Sequence, residues 1–464
     1  MQDSGPNSLE LTLAALRTRF GERLQTGLAI RQQHANTLTW LPASAPDAVV
    51  FAENAEDVAV VVRECAARKV PIIPFGAGTS LEGHVNAPQG GISLDLSRMT
   101  RIIAVNEADL DAEVEAGVTR NQLNEHLRDR GLFFPVDPGA GHATLGGMAS
   151  TRASGTTAMR YGTMKDNVLN VTAVMADGSV VRTAGRARKS SAGYDLTRLL
   201  VGSEGTLGII TSLTVRLHGQ PETILAAVCP FKTLEGACNT VIESIQLGLG
   251  AARMELVDEV MIRGFVAHAK LPLAEAPTLF VEFHGSPAVT ADQLAAFRGI
   301  GTSNGMISFE QAEKQEDRNR LWKARHEGYF AVMQMRPGAQ SLATDVCVPI
   351  SRLAECVLET KADIQRLGLL APLVGHAGDG NFHVQPLFDK SDAGEMARIA
   401  EFLERLTARA LAMDGTCTGE HGIGMGKIKY MDAEHGAGIA VMRAIKLALD
   451  PANILNPGKI LPSV

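Results

Sequence analysis

Two rhythms of apolar and polar positions run along this chain, one with the period of strands and one with the period of helices, and their alternation outlines its architecture. The stretch "APDAVVFAENAEDVAVVVRECAARKVPIIPFG" reads as a short strand, a helix opened by the Asn54-Ala55-Glu56-Asp57 turn, and a second strand from Val70 to Pro74. Strand, helix, strand predicts a parallel α/β unit. The segment before it, to about residue 48, reads as helical. Further strand candidates are "GGISLDLS", "TRIIAVNEADLDAEVEAG" and "VLNVTAVMADGSVVRT", the last turning as a hairpin at Asp177-Gly178. "EGTLGIITSLTVRLHGQ" closes this half with a strand ending near Gly219. From residue 220 to about 415 the texture changes: long amphipathic helices such as "LAECVLETKADIQRLGLL" and "MARIAEFLERLTARALAMDG" stand between a few strands such as "PTLFVEFHG". The tail "AGIAVMRAIKLALDPANILNPGKILP" predicts one amphipathic helix stopped by Asp450-Pro451 and followed by a loop.

Length and charge narrow the picture. A chain of 464 residues, 45% of them hydrophobic, is too long for one ordinary core and predicts two or three domains. A net charge of −7, with both signs mixed along the chain, leaves no nucleic-acid footprint. Six cysteines without a Cys-x-x-Cys pair argue against a disulfide framework or a zinc finger and for reduced thiols. The start "MQDSGPNSLELTLAALRTRF" lacks the basic, apolar and small-residue order of a signal peptide, and no apolar run reaches membrane-spanning length. These features predict an intracellular, cytoplasmic protein, with peripheral attachment at the membrane left open.

The candidate chemistry begins at "VGHAGDGNFHVQP", where His376 and His383 are seven residues apart, and continues in "CTGEHGIGMGK" with Glu420 and His421. On a helix a seven-residue step separates two side chains by about 10 Å, and on a flat strand it sends them to opposite faces. Two imidazoles on one ion need nitrogens roughly 3–4 Å apart, so the chain between them must reverse. Gly378-Asp379-Gly380 suits that reversal, with Leu373, Val374, Phe382 and Val384 as flanking strand ends. Glu420 and His421 are adjacent, so their side chains diverge and do different work. The expected ligands are therefore His376, His383 and Glu420, with His421 beside the ion; a three-ligand site leaves room for a substrate, as catalytic metals do.

Three glycine clusters mark the first half: "PFGAGTSLEGH", "DPGAGHATLGGMASTRASG" and "VGSEGTLG". Bare N–H groups around Gly76 and Gly78 suit a phosphate, yet no glycine falls three residues after Gly78, so a nicotinamide Rossmann fingerprint is not supported. Together the clusters predict a chain wrapped around a large phosphate-bearing ligand.

These segments, with "YGTMKDNV", "ATDVCVP" and "NPGK", resemble the FAD-linked D-2-hydroxy-acid dehydrogenases of the vanillyl-alcohol-oxidase flavoprotein fold, nearest the D-lactate dehydrogenase (cytochrome) group, from about residue 40 to the C-terminus. The resemblance implies an α+β protein: a two-part FAD-binding domain over 1–219, a substrate or cap domain over 220–415, and a C-terminal segment, 416–464, that returns to the flavin. It implies that Gly76, Ala77, Gly78, Thr79 and Ser80 carry the FAD pyrophosphate. Pro138, Gly139, Thr144, Gly147, Ser150, Ser154 and Gly155 would line the flavin, Glu204, Gly208 and Ile210 would lie toward the adenine, and Asn456 would close over the ring. Some relatives tether the flavin through a histidine where this chain has Thr79, so the FAD is expected to be non-covalent. The resemblance also implies a divalent metal, zinc or manganese, on His376, His383 and Glu420, with His421 as base and Arg325 of "LWKARHEGYF" as the partner of the substrate carboxylate.

Oxidising a 2-hydroxy acid requires a hydride acceptor, which no side chain provides and flavin does; a metal on the hydroxyl would ease its deprotonation. Relatives acting on 2-hydroxyglutarate add a lysine and a threonine where this sequence has Ala343 and Tyr329, so a second carboxylate would lack a partner. The expected substrate is a small monocarboxylate such as D-lactate, with a cytochrome or quinone as acceptor and a homodimer as a compatible assembly. Rival readings are a glycolate or longer-chain hydroxy-acid dehydrogenase, a metal-dependent hydrolase, which would be colourless, and a non-catalytic flavin subunit.

Overall fold

In the computed structural model, which describes residues 7–35, 39–270, 272–312 and 314–462, the chain divides into two units. The first comprises Met1–Ser154, Gly162–Gln220 and Glu420–Val464; the second comprises Gly155–Tyr161 and Pro221–Gly419.

The first unit begins with helices Ser8–Phe20 and Leu28–Gln33; positions 1–6 and 36–38 of the predicted helical segment lie outside the described residues. Helix Ala55–Arg68 follows, opened by the Asn54 side chain accepting the Asp57 N–H at 2.9 Å. Its buried Val58, Val61, Val62 and Cys65 recur at helical spacing and pack on strand residues Ala48, Val50, Ile72 and Leu94; each fully buried valine contributes roughly 1.5–3 kcal/mol. The predicted strands are Ala48–Phe51 and Ile72–Phe75, and they are parallel, but Ile92–Asp95 lies between them and pairs with both. A second, antiparallel sheet runs in the order Ile102–Asn106, Asp111–Glu115, Ile209–Arg216, Val168–Val174, Val180–Arg182. Its last pair is the hairpin predicted at Asp177-Gly178, where Gly178 takes φ +81°. The tail forms helix Gly438–Leu449, ended at Asp450 as expected. Buried Lys446 donates to Thr206 O and Leu455 O, both at 2.8 Å, and to Asp450 Oδ2 at 2.5 Å, fastening the tail to this unit.

The second unit is built on a seven-stranded sheet in the order Glu310–Ala312, Thr223–Pro230, Thr278–Gly285, Ala251–Val257, Leu373–His376, Asn381–Val384, Val346–Cys347. Alternation along these strands gives the sheet two different faces. Leu256, Val281, Phe283, Phe382 and Val384 turn to one side, under helices Leu234–Gln246, Pro287–Ser303, Leu353–Arg366 and Ala393–Ala412. Val257, Phe280 and Val374 turn to the other, where helices Glu259–Ala269, Gln315–His326 and Gly328–Met335 lie. By the same alternation Arg253, Glu255, Glu282, His284, His376 and His383 share this second face, a polar strip continuing an apolar one. Helices and mainly antiparallel strands give the expected α+β class. No helix among the described residues is long and apolar enough to cross a membrane.

Candidate functional site

The first unit contains a pocket with about 1190 Å³ of free space, counting its open mouth. Its floor begins where strand Ile72–Phe75 runs into the glycine loop. Gly78 takes φ +65°, and a Cβ on Gly76 would strike Thr144 Oγ1, so this loop needs glycine at both places. Thr144 in turn accepts the Gly147 N–H at 3.3 Å and opens the short helix Leu145–Thr151 along the wall. Gly76 to Ser80, Pro138, Thr144, Gly147, Ser150 and Ser154 all line the pocket, as do Glu204, Gly208, Ile210 and Asn456. Gly139 and Gly155 do not: Gly139 shapes the turn after Pro138 at φ +79°, and Gly155 starts the segment that belongs to the second unit. Among the described lining side chains, Ser80 Oγ, both ring nitrogens of His84, and Asn456 Oδ1 are buried and make no hydrogen bond within the protein. Buried polar groups are rarely left so, and a ligand bearing phosphates, hydroxyls and ring heteroatoms would supply their partners.

Glu420 and His421 line the same pocket, on a turn whose position is set by Glu204. One carboxylate oxygen of Glu204 accepts the Ile423 N–H at 2.7 Å and the other the Gly424 N–H at 2.8 Å. Glu204 stands in the left-handed region at φ +52°, a conformation that costs a non-glycine residue roughly 1–3 kcal/mol. It is held there by the Asn456 amide, which donates to Glu204 O at 2.8 Å and to His84 O at 3.2 Å. Burial pushes the Glu204 carboxyl upward, but the adjacent His84 ring and the two N–H donors outweigh it and leave the pKa below the usual carboxylate value. Thus Glu204, grouped in the sequence reading with Ile210, stands beside the His421 turn.

In the second unit, Leu373–His376 and Asn381–Val384 form the predicted reversal, an antiparallel pair in which Val374 faces His383. Gly380 at φ +77° closes the turn, and a Cβ there would strike Val348 O. The two imidazoles come edge to face with centroids 5.3 Å apart. Each is oriented through Nδ1: that of His376 lies 2.7 Å from Glu255 Oε1, and that of His383 lies 2.8 Å from Thr344 O. A metal would then fall to Nε2, and an Nδ1 bonded to carboxylate or carbonyl is the usual support of a metal-bound histidine. Glu255 is fully buried directly opposite His376 in the sheet, and its second oxygen takes Arg325, at 2.9 Å from Nε and 2.7 Å from the terminal nitrogen. Burial raises the Glu255 pKa, and His376 and Arg325 more than reverse that, so it stays ionised. Asp345, also buried, accepts from Asn381 and from Thr418, each at 2.7 Å, and lies 3.8 Å from His383 Nδ1.

The candidates therefore divide between the units: His376, His383 and Arg325 are gathered in the second, Glu420 and His421 in the first, where the chain enters at the Gly419–Glu420 bond. The sequence reading missed His84, Glu255 and Asp345. For Glu255 the signal was present: "ARMELV" alternates Arg253 and Glu255 with Met254 and Leu256, a strand with one charged face.

Residues 46–184 match the family "FAD binding domain" and residues 220–460 match "FAD linked oxidases, C-terminal domain". Among curated proteins, the chain is 48% identical over 459 residues to "Probable D-lactate dehydrogenase, mitochondrial" of Danio rerio, covering 98% of this chain and 92% of that one. It is 47% identical to "D-lactate dehydrogenase [cytochrome], mitochondrial" of Arabidopsis thaliana, covering 90% and 74%, and 33% identical to a glycolate oxidase subunit of Bacillus subtilis, covering 90% and 89%. Among solved structures, 4-ethylphenol oxidase from Gulosibacter chungangensis superposes with a TM-score of 0.79 at 20% identity, covering 99% of each chain. p-Cresol methylhydroxylase superposes with a TM-score of 0.79 at 18% identity, covering 98% and 96%. At such identities these two speak for the fold alone, and it is the fold expected from the motifs.

Proposed function

The chain belongs to the family of FAD-linked oxidases, and we propose that it oxidises a small D-2-hydroxy monocarboxylate, D-lactate to pyruvate, with a divalent metal and an external electron acceptor. Relatives named for D-lactate dehydrogenase, four of them 39% to 48% identical over most of the chain, support the reaction. The FAD belongs in the pocket of the first unit, held without a covalent bond, with Thr79 where a tethering histidine would stand. FAD when bound supplies the hydride acceptor. The metal, zinc or manganese, is assigned to His376, His383 and Glu420 and would supply a Lewis acid. The two fixed imidazoles support that donor set.

The chain's own groups do the rest. His421 is the base for the hydroxyl proton, a role suited to imidazole near neutral pH. Arg325 offers the substrate carboxylate a planar cation; Glu255 takes one part of its five-donor fork and fixes the remainder. Ala343 and Tyr329 leave no cation for a second carboxylate. A cytochrome is the favoured acceptor, as in the names of several relatives, with a quinone as the alternative. The glycolate oxidase relatives make glycolate the second substrate to test.

The observation that carries the reading is the set of buried polar atoms that make no hydrogen bond within the protein, in the glycine-lined pocket. Mixing the purified protein anaerobically with D- and L-lactate, glycolate and longer 2-hydroxy acids tests it. Bleaching of the yellow chromophore by D-lactate ahead of the others is expected. A colourless protein, or bleaching by L-lactate only, would overturn it.

A further inference from the structure

His84 ends the glycine loop motif "GAGTSLEGH" and none of the roles above uses it. Its ring is 95% buried against the pocket, at 5% relative exposure, and neither nitrogen makes a hydrogen bond within the protein. The nearest charge is Glu204, with Oε1 3.3 Å from Nε2 but outside hydrogen-bond geometry, and the Glu204 oxygens already hold Ile423 N–H and Gly424 N–H. A purely structural histidine looks different in the same unit. Buried His34 places Nδ1 2.8 Å from Ile30 O and Nε2 2.9 Å from Asp95, so both nitrogens are engaged.

Two observations locate what His84 addresses. Its backbone carbonyl is pinned, together with that of Glu204, by the Asn456 amide, which fixes the backbone from which the ring projects onto the pocket wall. A Cβ on Gly422, at φ +80°, would lie 2.8 Å from His84 Nε2 and 2.6 Å from Glu204 Oε1. The residue after His421 therefore packs directly on this pair, and only glycine allows it.

We propose that His84 contacts the cofactor directly: a ring nitrogen donates a hydrogen bond to a polar atom of the isoalloxazine, beside the turn that carries His421. The inference rests on the pocket being the FAD site and on His421 standing at its reactive ring. A donor at the flavin's heteroatoms favours the electron-rich reduced ring over the oxidised one and so raises the reduction potential. Glu204 tempers the effect while holding the ring's surroundings in place. His84 thereby sets how readily the bound FAD accepts a hydride, separately from the metal and the base.

The test compares full-length holoprotein with His84→Ala and His84→Leu, which both remove the donor, the second keeping much of the ring's volume, and with His84→Gln, which retains a donor. The readouts are the flavin midpoint potential and the affinity of the oxidised flavin for sulfite. The reduced-to-oxidised ratio at a fixed poise is expected to fall at least tenfold in His84→Ala and His84→Leu, which is about 30 mV for a two-electron couple. Sulfite affinity should fall alongside, and His84→Gln should recover part of both. Folded variants with wild-type FAD content, potential and sulfite affinity would overturn the inference alone. Faster FAD loss at an unchanged potential would place the contact on the pyrophosphate and overturn it too. A wild-type protein without FAD would overturn both the inference and the cofactor assignment.

Discussion

His376 Nδ1 lies 2.7 Å from Glu255 Oε1, across neighbouring strands and out of reach of solvent. The contact fixes the imidazole plane, and through the same carboxylate it ties Arg325 to the ring. One buried glutamate thus aligns a proposed metal ligand and a proposed substrate clamp.

Replacing that carboxylate by an amide, Glu255→Gln, keeps the size and removes the charge that both partners need. Supports of this kind are worth about 10–100-fold in metal affinity or activity. Metal content and kcat/KM for D-lactate should fall by that order while FAD absorbance stays at the wild-type level; an unchanged metal content would remove Glu255 as the support.

Changing His421→Ala is expected to slow anaerobic flavin reduction by D-lactate by about 10²–10⁴-fold, with FAD retained. Stopped-flow absorbance separates the two quantities. Reduction at the wild-type rate would assign the base to another group.

Arg325→Lys preserves the charge and loses the fork. Because a bidentate pair depends on that planar geometry, the apparent affinity for D-lactate should weaken about tenfold or more, since a charged hydrogen bond is worth about 1.5–3 kcal/mol. FAD affinity, measured by fluorescence, should not change; equal losses in both would count against a substrate contact.

Gly422→Ala places a Cβ 2.6 Å from Glu204 Oε1 at a backbone φ of +80°. Strain at such a position costs roughly 1–3 kcal/mol, so the thermal midpoint should drop, and reactivity should fall with it as the His421 turn lifts off Glu204. A midpoint equal to that of the wild type would show that the turn has room to spare.

Glu204, Glu255 and Glu282 are buried with pKa values held below the usual carboxylate value; for Glu282, burial raises it and Arg253, His284 and Trp322 more than compensate. A depressed folded-state pKa contributes stability that is present above the unfolded value, about 4.3, and lost as pH falls through the folded one. Stability against urea should therefore fall below about pH 5, by up to about 1.4 kcal/mol per pH unit for each carboxylate in its window. Glu282→Gln should flatten that slope, and a variant as steep as the wild type would exclude Glu282 from it.

Elements whose cause is local were readable in the sequence. Asn54 caps its helix, Asp177-Gly178 makes its hairpin, and Gly378-Asp379-Gly380 reverses the chain so that His376 and His383 meet. What depended on distant chain was not readable. Strand Ile92–Asp95 enters between two strands that looked like neighbours, because parallel pairing is decided by the packing of the whole unit. The lack of hydrogen bonds on His84 has no sequence signature, and neither does the grip of the Glu204 carboxylate on Ile423 N–H and Gly424 N–H, more than 200 residues along the chain. Gly139 and Gly155 share the motif of the lining residues, but the one shapes a turn and the other departs with the second unit.

That departure has a consequence for synthesis. Since Gly155–Tyr161 belongs to the second unit and Glu420–Val464 to the first, neither unit is a single continuous stretch of the sequence. A fragment of residues 221–419 would lack Tyr161, whose hydroxyl lies 2.7 Å from His284 Nδ1, and Arg160, which donates to Gly250 O at 2.6 Å. The stretch bearing Glu420, His421 and Asn456 is made only after the whole of the second unit, so the pocket of the first unit gains these three lining residues late in synthesis.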